Sequence, residues 1–105
     1  SYVPPIPVEN VVKENIDGIV ASGNEPIDIA IELCLYCMKT QIFIDGNKRA
    51  SVLFANQYLI AHGQGFIVIP EKKVPEFKRL LVEYYEGADI SIIGAFLKDK
   101  CWKKF

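Results

Sequence analysis

Apolar residues recur every three or four positions over most of this chain, which is the spacing of helices that bury one face. The pattern predicts an amphipathic helix from about Glu9 to Ala21, just before a glycine that can end it. It predicts another from Val74 to Tyr85. A shorter helix spans residues 92–97, and either Asp89 or Ser91 can cap its start.

Two further segments are apolar on nearly all sides. One runs from Ile27 to Met38, after Pro26 at a position that suits the first turn of a helix. The other runs from Arg49 to His62 and is followed by Gly63, a common helix stop. We expect these two segments to form the central helices of a mostly α fold.

Three segments do not follow the helical pattern. The prolines of Val3–Pro7 require an extended arm. The apolar run Phe66–Ile69 suits either a strand or an extended connection, and a connection is our prediction. The charged stretch Lys98–Lys104 predicts a solvated tail held by nearby aromatic anchors, Trp102 and Phe105.

Composition is that of one compact domain spanning residues 1–105, with 50% hydrophobic and 24% charged residues. The net charge of −1 gives no support for nonspecific binding of nucleic acid or of an anionic membrane. Three cysteines, an odd number, and the lack of a long apolar run favour the reducing cytoplasm. Cys34 and Cys37 are expected in the core, because no second cysteine pair completes a zinc site. A start at Ser1 without methionine suits a trimmed piece of a longer chain.

A small polar loop joins the two apolar segments and is suited to hold an anion. Gly46 lets the backbone turn, and Asn47 can cap the helix that follows. Lys48 and Arg49 place two cations beside the N–H groups of that helix start, so phosphate is the expected guest. A plain helix-to-helix turn is the alternative. A calcium loop and a Walker-type loop are rejected, because the acidic ligands and the glycine spacing that they need are missing.

Residues 41–49, Gln-Ile-Phe-Ile-Asp-Gly-Asn-Lys-Arg, resemble the signature of the Fic/Doc (Fido) family, His-x-Phe-x-Asp/Glu-Gly-Asn-Gly/Lys-Arg. The positions that match are Phe43, Asp45, Gly46, Asn47, Lys48 and Arg49, whereas Gln41 stands where the family has its catalytic histidine. Val3-Pro4-Pro5 is similar to a segment that follows the family's β-hairpin flap. The resemblance covers about residues 2–97 and implies a Fic-type helical bundle, with two central helices flanking the loop and a short flap remnant at the N-terminus.

The resemblance also implies a reaction, in which the loop holds the phosphates of ATP and a histidine takes the proton from a target hydroxyl. The product is usually a protein side chain that carries AMP on its Ser, Thr or Tyr oxygen. Carried over by position, Asp45 would bind Mg²⁺, and Gly46 would allow close backbone approach. Asn47 would hold a phosphate oxygen or shape the loop, Arg49 would neutralise the phosphate tail, and Phe43 would anchor the loop to the core.

The departures from the family pattern limit this activity. Gln41 cannot accept a proton. The rate enhancement of about 10² to 10⁴ that a general base supplies should therefore be missing. His62 cannot replace it, because it lies about 20 Å along the following helix, where an interaction with the helix end is its expected role. Lys48 and Val52 resemble the toxin-antitoxin-like Doc branch, which transfers phosphate, so AMP and phosphate both stay open. Val82 replaces the hydroxyl of the family's inhibitory motif, so any inhibitor would lie outside this chain.

Three functional hypotheses follow from the sequence. The first is a divergent Fic enzyme that transfers AMP or phosphate from ATP, with Mg²⁺, to a protein hydroxyl. The second is a catalytically silent Fic domain that binds nucleotide or a partner. The third is a helical interaction domain whose loop is only a turn.

Overall fold

The computed structural model describes residues 8–41 and 46–105. Its helices and strands, in chain order, are α1 (Glu9–Val20), α2 (Pro26–Thr40), α3 (Asn47–Ala61), β1 (Phe66–Ile67), a 3₁₀ turn (Glu71–Lys73), α4 (Val74–Tyr85), α5 (Ile90–Phe96), a π-helical turn (Leu97–Cys101) and β2 (Trp102–Lys103). This confirms the mostly α class. The N-terminal arm and the expected flap remnant lie outside the described residues.

Helix α2 forms the centre of the fold, as its pattern predicts. Nine of its fifteen residues are buried, and Pro26 occupies the first turn. One side of α2 packs through Ile29 and Leu33 against Ile19 of α1. The rest of its apolar surface packs against α3, α4, α5 and the C-terminal turn. Cys34 and Cys37 lie in this buried surface, which confirms their assignment to the core. Burial raises the pKa of Cys34 to about 12 and that of Cys37 to about 11, so both thiols stay protonated.

Helix α3 packs on α2 but buries only one face, which corrects the expectation of a second helix that is central on all sides. Its buried residues are Ser51, Ala55 and Leu59, four positions apart, whereas Leu53 is 59% exposed and Ile60 is 50% exposed. Small side chains at the first two positions let α3 approach α2 closely. The Ser51 hydroxyl is fully buried and pairs with no described residue, so small size accounts for its place in this packing.

The start of α5 and the end of α3 follow the sequence signals. The side chain of Asp89, and not that of Ser91, caps α5 by accepting a hydrogen bond of 2.8 Å from the Ser91 N–H. That bond also lowers the pKa of Asp89. His62 ends α3 with its Nδ1 2.8 Å from the carbonyl oxygen of Tyr58, which confirms its role at the helix end. Within residues 8–41 and 46–105, no helix combines the length and apolar character that crossing a membrane needs.

The prediction of a connection at Phe66–Ile69 is wrong for its first half. Phe66 and Ile67 pair antiparallel with Lys103 and Trp102, and the Val68 N–H extends the pairing to the carbonyl of Cys101. The predicted solvated tail is confirmed in part. Its lysines are exposed and Trp102 packs against the core, whereas Cys101 is buried and the chain after it is a strand.

The side chain of Asn56 on α3 completes the hydrogen bonding of β1. Its Nδ2 donates to the carbonyl oxygen of Ile67 at 3.0 Å, and its Oδ1 accepts from the Ile67 N–H at 2.7 Å. Ile67 is itself buried. One amide side chain thus takes the place of a third strand beside β1.

Replacing Asn56 with Ala should destabilise the protein by about 2 kcal/mol, because both backbone groups of buried Ile67 lose their partner. Urea denaturation followed by circular dichroism measures this change. Asn56→Asp keeps the acceptor but places a carboxylate oxygen against the Ile67 carbonyl oxygen, so it should also destabilise the protein. The matched control is Gln57→Ala on the exposed side of α3, expected within about 0.5 kcal/mol of the wild type. Equal stabilities for Asn56→Ala and Gln57→Ala would contradict this role.

Candidate anion-binding site between helices α2 and α3

Two left-handed residues bracket the loop that the sequence singles out. Gln41 ends α2 with φ 50° and ψ 51°, and Gly46 precedes α3 with φ 61° and ψ 38°. Gly46 adopts this conformation without a Cβ penalty, as predicted. Gln41 is the one non-glycine residue with positive φ in the described ranges, a conformation that side chains other than Gly, Asn, Asp and His adopt infrequently. Phe43 and Asp45 lie outside the described residues, so their expected roles as anchor and metal ligand stay predictions.

The start of α3 presents backbone donors and two cations. The N–H groups in the first turn of a helix have no acceptor within the helix, and the helix dipole adds a partial positive charge there. Lys48 and Arg49 follow immediately and are both exposed. The first turn contains no acidic residue. Within the first turn of α3, the backbone and side-chain charges therefore favour an anion.

Asn47 does not cap α3, which corrects the prediction made for it. Gly46 holds the cap position, and Asn47 is the first helical residue. Its side-chain Nδ2 donates instead to the carbonyl oxygen of Met38 in the last turn of α2, at 3.1 Å. This bond spans the loop and fixes the start of α3 against the end of α2. Of the two roles expected for Asn47, the structure therefore supports that of shaping the loop.

A hollow of about 580 Å³ opens at this junction. The described residues that line it are Gln41, Gly46, Asn47, Lys48, Arg49 and Tyr85. The structure thus brings together all five described residues of the predicted site. It adds Tyr85 from the end of α4, which the sequence analysis assigned only to an amphipathic helix face. The signal available in the sequence was the Tyr84-Tyr85 pair just before the stop at Gly87.

Tyr85, the aromatic residue that lines the hollow, lies beside Tyr84, and a third cation lies over the Tyr84 ring. The Tyr84 and Tyr85 rings lie 6.2 Å apart between centroids, and the Lys39 Nζ lies 4.8 Å from the centroid of the Tyr84 ring. Lys39 belongs to the last turn of α2. The described lining includes two cations and no carboxylate. The described side chains of the lining therefore contribute positive charge, although the whole chain carries a net charge of −1.

The arrangement can bind an anion but shows no general base among the described residues. The Gln41 amide cannot take a proton, and the ring of His62 is engaged at the opposite end of α3, about 20 Å away. The described residues also contain no group of three or more potential metal ligands. Magnesium does not need such a group, because one or two carboxylates suffice when phosphates and waters complete its shell.

Comparison with known proteins adds no relative. No family model matches the chain, and no curated protein or solved structure is similar to it at a significant level.

Proposed function

We propose that this protein is a divergent Fic-type domain that binds the phosphates of ATP and transfers AMP or phosphate to a Ser, Thr or Tyr hydroxyl of a protein target. The observation that carries the proposal is the hollow between α2 and α3, where Lys48 and Arg49 lie beside the backbone donors of the α3 start. Phosphoryl and nucleotidyl transfer depend mainly on positioning and on neutralising charge, which such a site supplies.

The residues that line the hollow have distinct roles in this proposal. Arg49 pairs with phosphate oxygens in a bidentate manner, and Lys48 adds a second positive charge. Gly46 admits the phosphate close to the backbone, while Asn47 holds the loop to α2 through Met38. Tyr85 offers an aromatic wall on which the nucleotide can rest.

In this proposal Mg²⁺ would be held by Asp45, the carboxylate that precedes Gly46 in the sequence. When bound with nucleotide, the ion would neutralise charge that develops on the phosphates. One carboxylate suits magnesium, which shares substrate phosphates and keeps several waters.

A catalytically silent nucleotide-binding domain is the second candidate. Gln41 favours it, because the residue is exposed at the mouth of the hollow and its amide has no basic character. The two candidates share the same phosphate site and differ only in whether transfer follows binding.

Replacing Arg49 with Ala should weaken the binding of ATP with Mg²⁺ by about 10-fold to 100-fold, the range expected for losing a charged hydrogen-bond donor. Isothermal calorimetry measures the affinity. Arg79→Ala is the matched control, since Arg79 is an exposed arginine on α4 that pairs with Glu83 and lines no part of the hollow. If the wild type binds no nucleotide at millimolar concentration, the hypothesis of an ATP-binding site is rejected. The helical interaction domain then becomes the better account.

Replacing Asp45 with Ala should remove the effect of Mg²⁺ on nucleotide affinity. The ratio of ATP affinities with Mg²⁺ and with EDTA, measured for each variant, tests this directly. Asp99→Ala provides the control, because Asp99 is an exposed carboxylate in the C-terminal turn. An unchanged ratio in Asp45→Ala would place the metal ligand elsewhere in the chain.

A further inference from the structure

A second concave surface lies between α2 and α5, outside the hollow of the proposed nucleotide site. Its apolar lining comes from Ile31 on α2 and from Ile90, Gly94 and Ala95 on α5. The cleft encloses about 310 Å³, enough for an apolar side chain and at the lower end of the volumes of ligand pockets. It exists because α5 presents two small residues where it faces α2. The closest atom to a Cβ placed on Gly94 would be Cγ2 of Ile31, at 3.7 Å.

Two of the three charged residues that line the cleft form an ion pair, and the third does not. Lys98 pairs with Asp28 at 3.3 Å, and both side chains are 44% exposed. Glu32 also lines the cleft, lies one turn after Asp28 on α2, and has no ion pair in the described part of the chain. The cleft therefore combines an apolar floor with one uncompensated carboxylate at its edge.

Glu32 also belongs to a neighbouring hollow between α1 and α2. That hollow is lined by Glu14, Asn15, Gly18 and Tyr36 among others, and its volume is about 550 Å³. Asn15 donates to the Tyr36 hydroxyl at 3.1 Å across it. The α2–α5 cleft and the α1–α2 hollow therefore both border Glu32 on α2, and we name the surface that they form together the α2 groove.

Helices α1 and α2, which form one side of the α2 groove, are acidic. Residues 8–40 contain six carboxylates and two lysines, a formal charge of −4, although the whole chain carries only −1. The six are Glu9, Glu14, Asp17, Glu25, Asp28 and Glu32. The negative charge of this surface repels nucleic acid and anionic membranes, whereas it attracts a positively charged segment.

We propose that the α2 groove docks a cationic amphipathic segment of a partner protein. An apolar side chain of that segment fills the cleft above Ile31, Gly94 and Ala95, and a neighbouring Lys or Arg pairs with Glu32. The apolar anchor supplies most of the affinity by burial, and the charge pair fixes orientation and speeds association. This docking is independent of nucleotide, because no residue is shared between the α2 groove and the hollow at the start of α3.

The test uses the whole chain and a synthetic probe. A fluorescein-labelled amphipathic peptide of leucine and lysine, about 15 residues long so that it can form a helix, is titrated by anisotropy. Two control peptides replace every leucine with serine or every lysine with glutamate. We expect binding of the leucine–lysine peptide alone, weakened by salt and unchanged by saturating ATP with Mg²⁺.

Two variants locate the docking surface. Ala95→Phe fills the cleft from an exposed position and should weaken binding at least about 10-fold. Glu32→Gln should weaken it about three-fold to five-fold at low salt and reduce the salt dependence. Ala61→Phe at the exposed end of α3 and Glu76→Gln on α4 are the matched controls, and both should change affinity less than about two-fold. Circular dichroism confirms that each variant is folded.

Several results would overturn the proposal. Equal binding of the serine–lysine peptide would show attraction by charge alone, without a cleft. Full affinity in Ala95→Phe would place the peptide elsewhere, as would amide shifts in nuclear magnetic resonance that concentrate on Lys48 and Arg49. A dimer in sedimentation that disappears in Ala95→Phe would assign the α2 groove to a second copy of this chain and not to a partner.

Discussion

Replacing Gln41 with His is expected to raise transfer of AMP or phosphate by about 10² to 10⁴, the usual contribution of a general base. Histidine has a pKa near 6.5, so it can accept the hydroxyl proton at neutral pH, whereas an amide cannot. The backbone favours this change. Gln41 has φ 50°, a left-handed conformation that histidine adopts several times more often than most residues do.

Incubation of wild type and Gln41→His with labelled ATP and Mg²⁺, together with cell lysate, measures the transfer, and mass spectrometry identifies modified side chains. Gln41→Asn is the matched control, because it suits the same backbone conformation and supplies no base. Equal and substantial transfer by all three proteins would show a route that needs no base at this position. No transfer by any of them, with nucleotide binding intact, would favour the silent binding domain.

Replacing Gly65 with Ala is expected to destabilise the fold by at least about 3 kcal/mol, a large part of the free energy of unfolding of a small domain. Gly65 has φ 101°, which L side chains rarely adopt. A Cβ there would also overlap the backbone carbonyl of Lys103, which is fixed by the pairing of β1 with β2. Neither the strained φ nor the overlap can be relieved without separating the strands.

Gly63→Ala separates the two causes, because Gly63 has φ 68° and open space where a Cβ would lie. It should cost only about 1 to 2 kcal/mol, the penalty of the left-handed conformation. Urea denaturation gives both values, and melting temperatures should differ by several degrees between the variants. If Gly65→Ala costs no more than Gly63→Ala, the close approach of the two strands is not a constraint on the fold.

Nucleotide binding by the Arg49 variant and transfer by the Gln41 variant together separate the three functional hypotheses. Nucleotide binding that depends on Arg49 supports either Fic-type candidate. Transfer that appears only with Gln41→His identifies a domain that retains the donor site and lacks the base. Absence of nucleotide binding, combined with peptide docking at Ala95 and Glu32, would identify a helical interaction domain.

The sequence by itself determined the positions of the helices and some of their ends. The spacing of apolar residues located α1, α2, α4 and α5, because that spacing matches the 3.6-residue period of a helix with a buried face. Local chemistry limited the α5 cap to Asp89 or Ser91 and located the stop at His62, since both ends involve atoms within four residues along the chain. The five described site residues were also found from sequence, because they lie close together in one segment.

Only the tertiary structure decided the features that join distant segments. β1 forms because Phe66 meets Lys103, and a two-residue strand has no signal of its own until its partner is known. Asn47 bonds to Met38 because α2 ends beside it, so a residue that resembles a cap became a link between helices. Tyr85 enters the site because the end of α4 lies near the start of α3. Such contacts depend on how helices pack, and the local pattern of one segment does not contain that information.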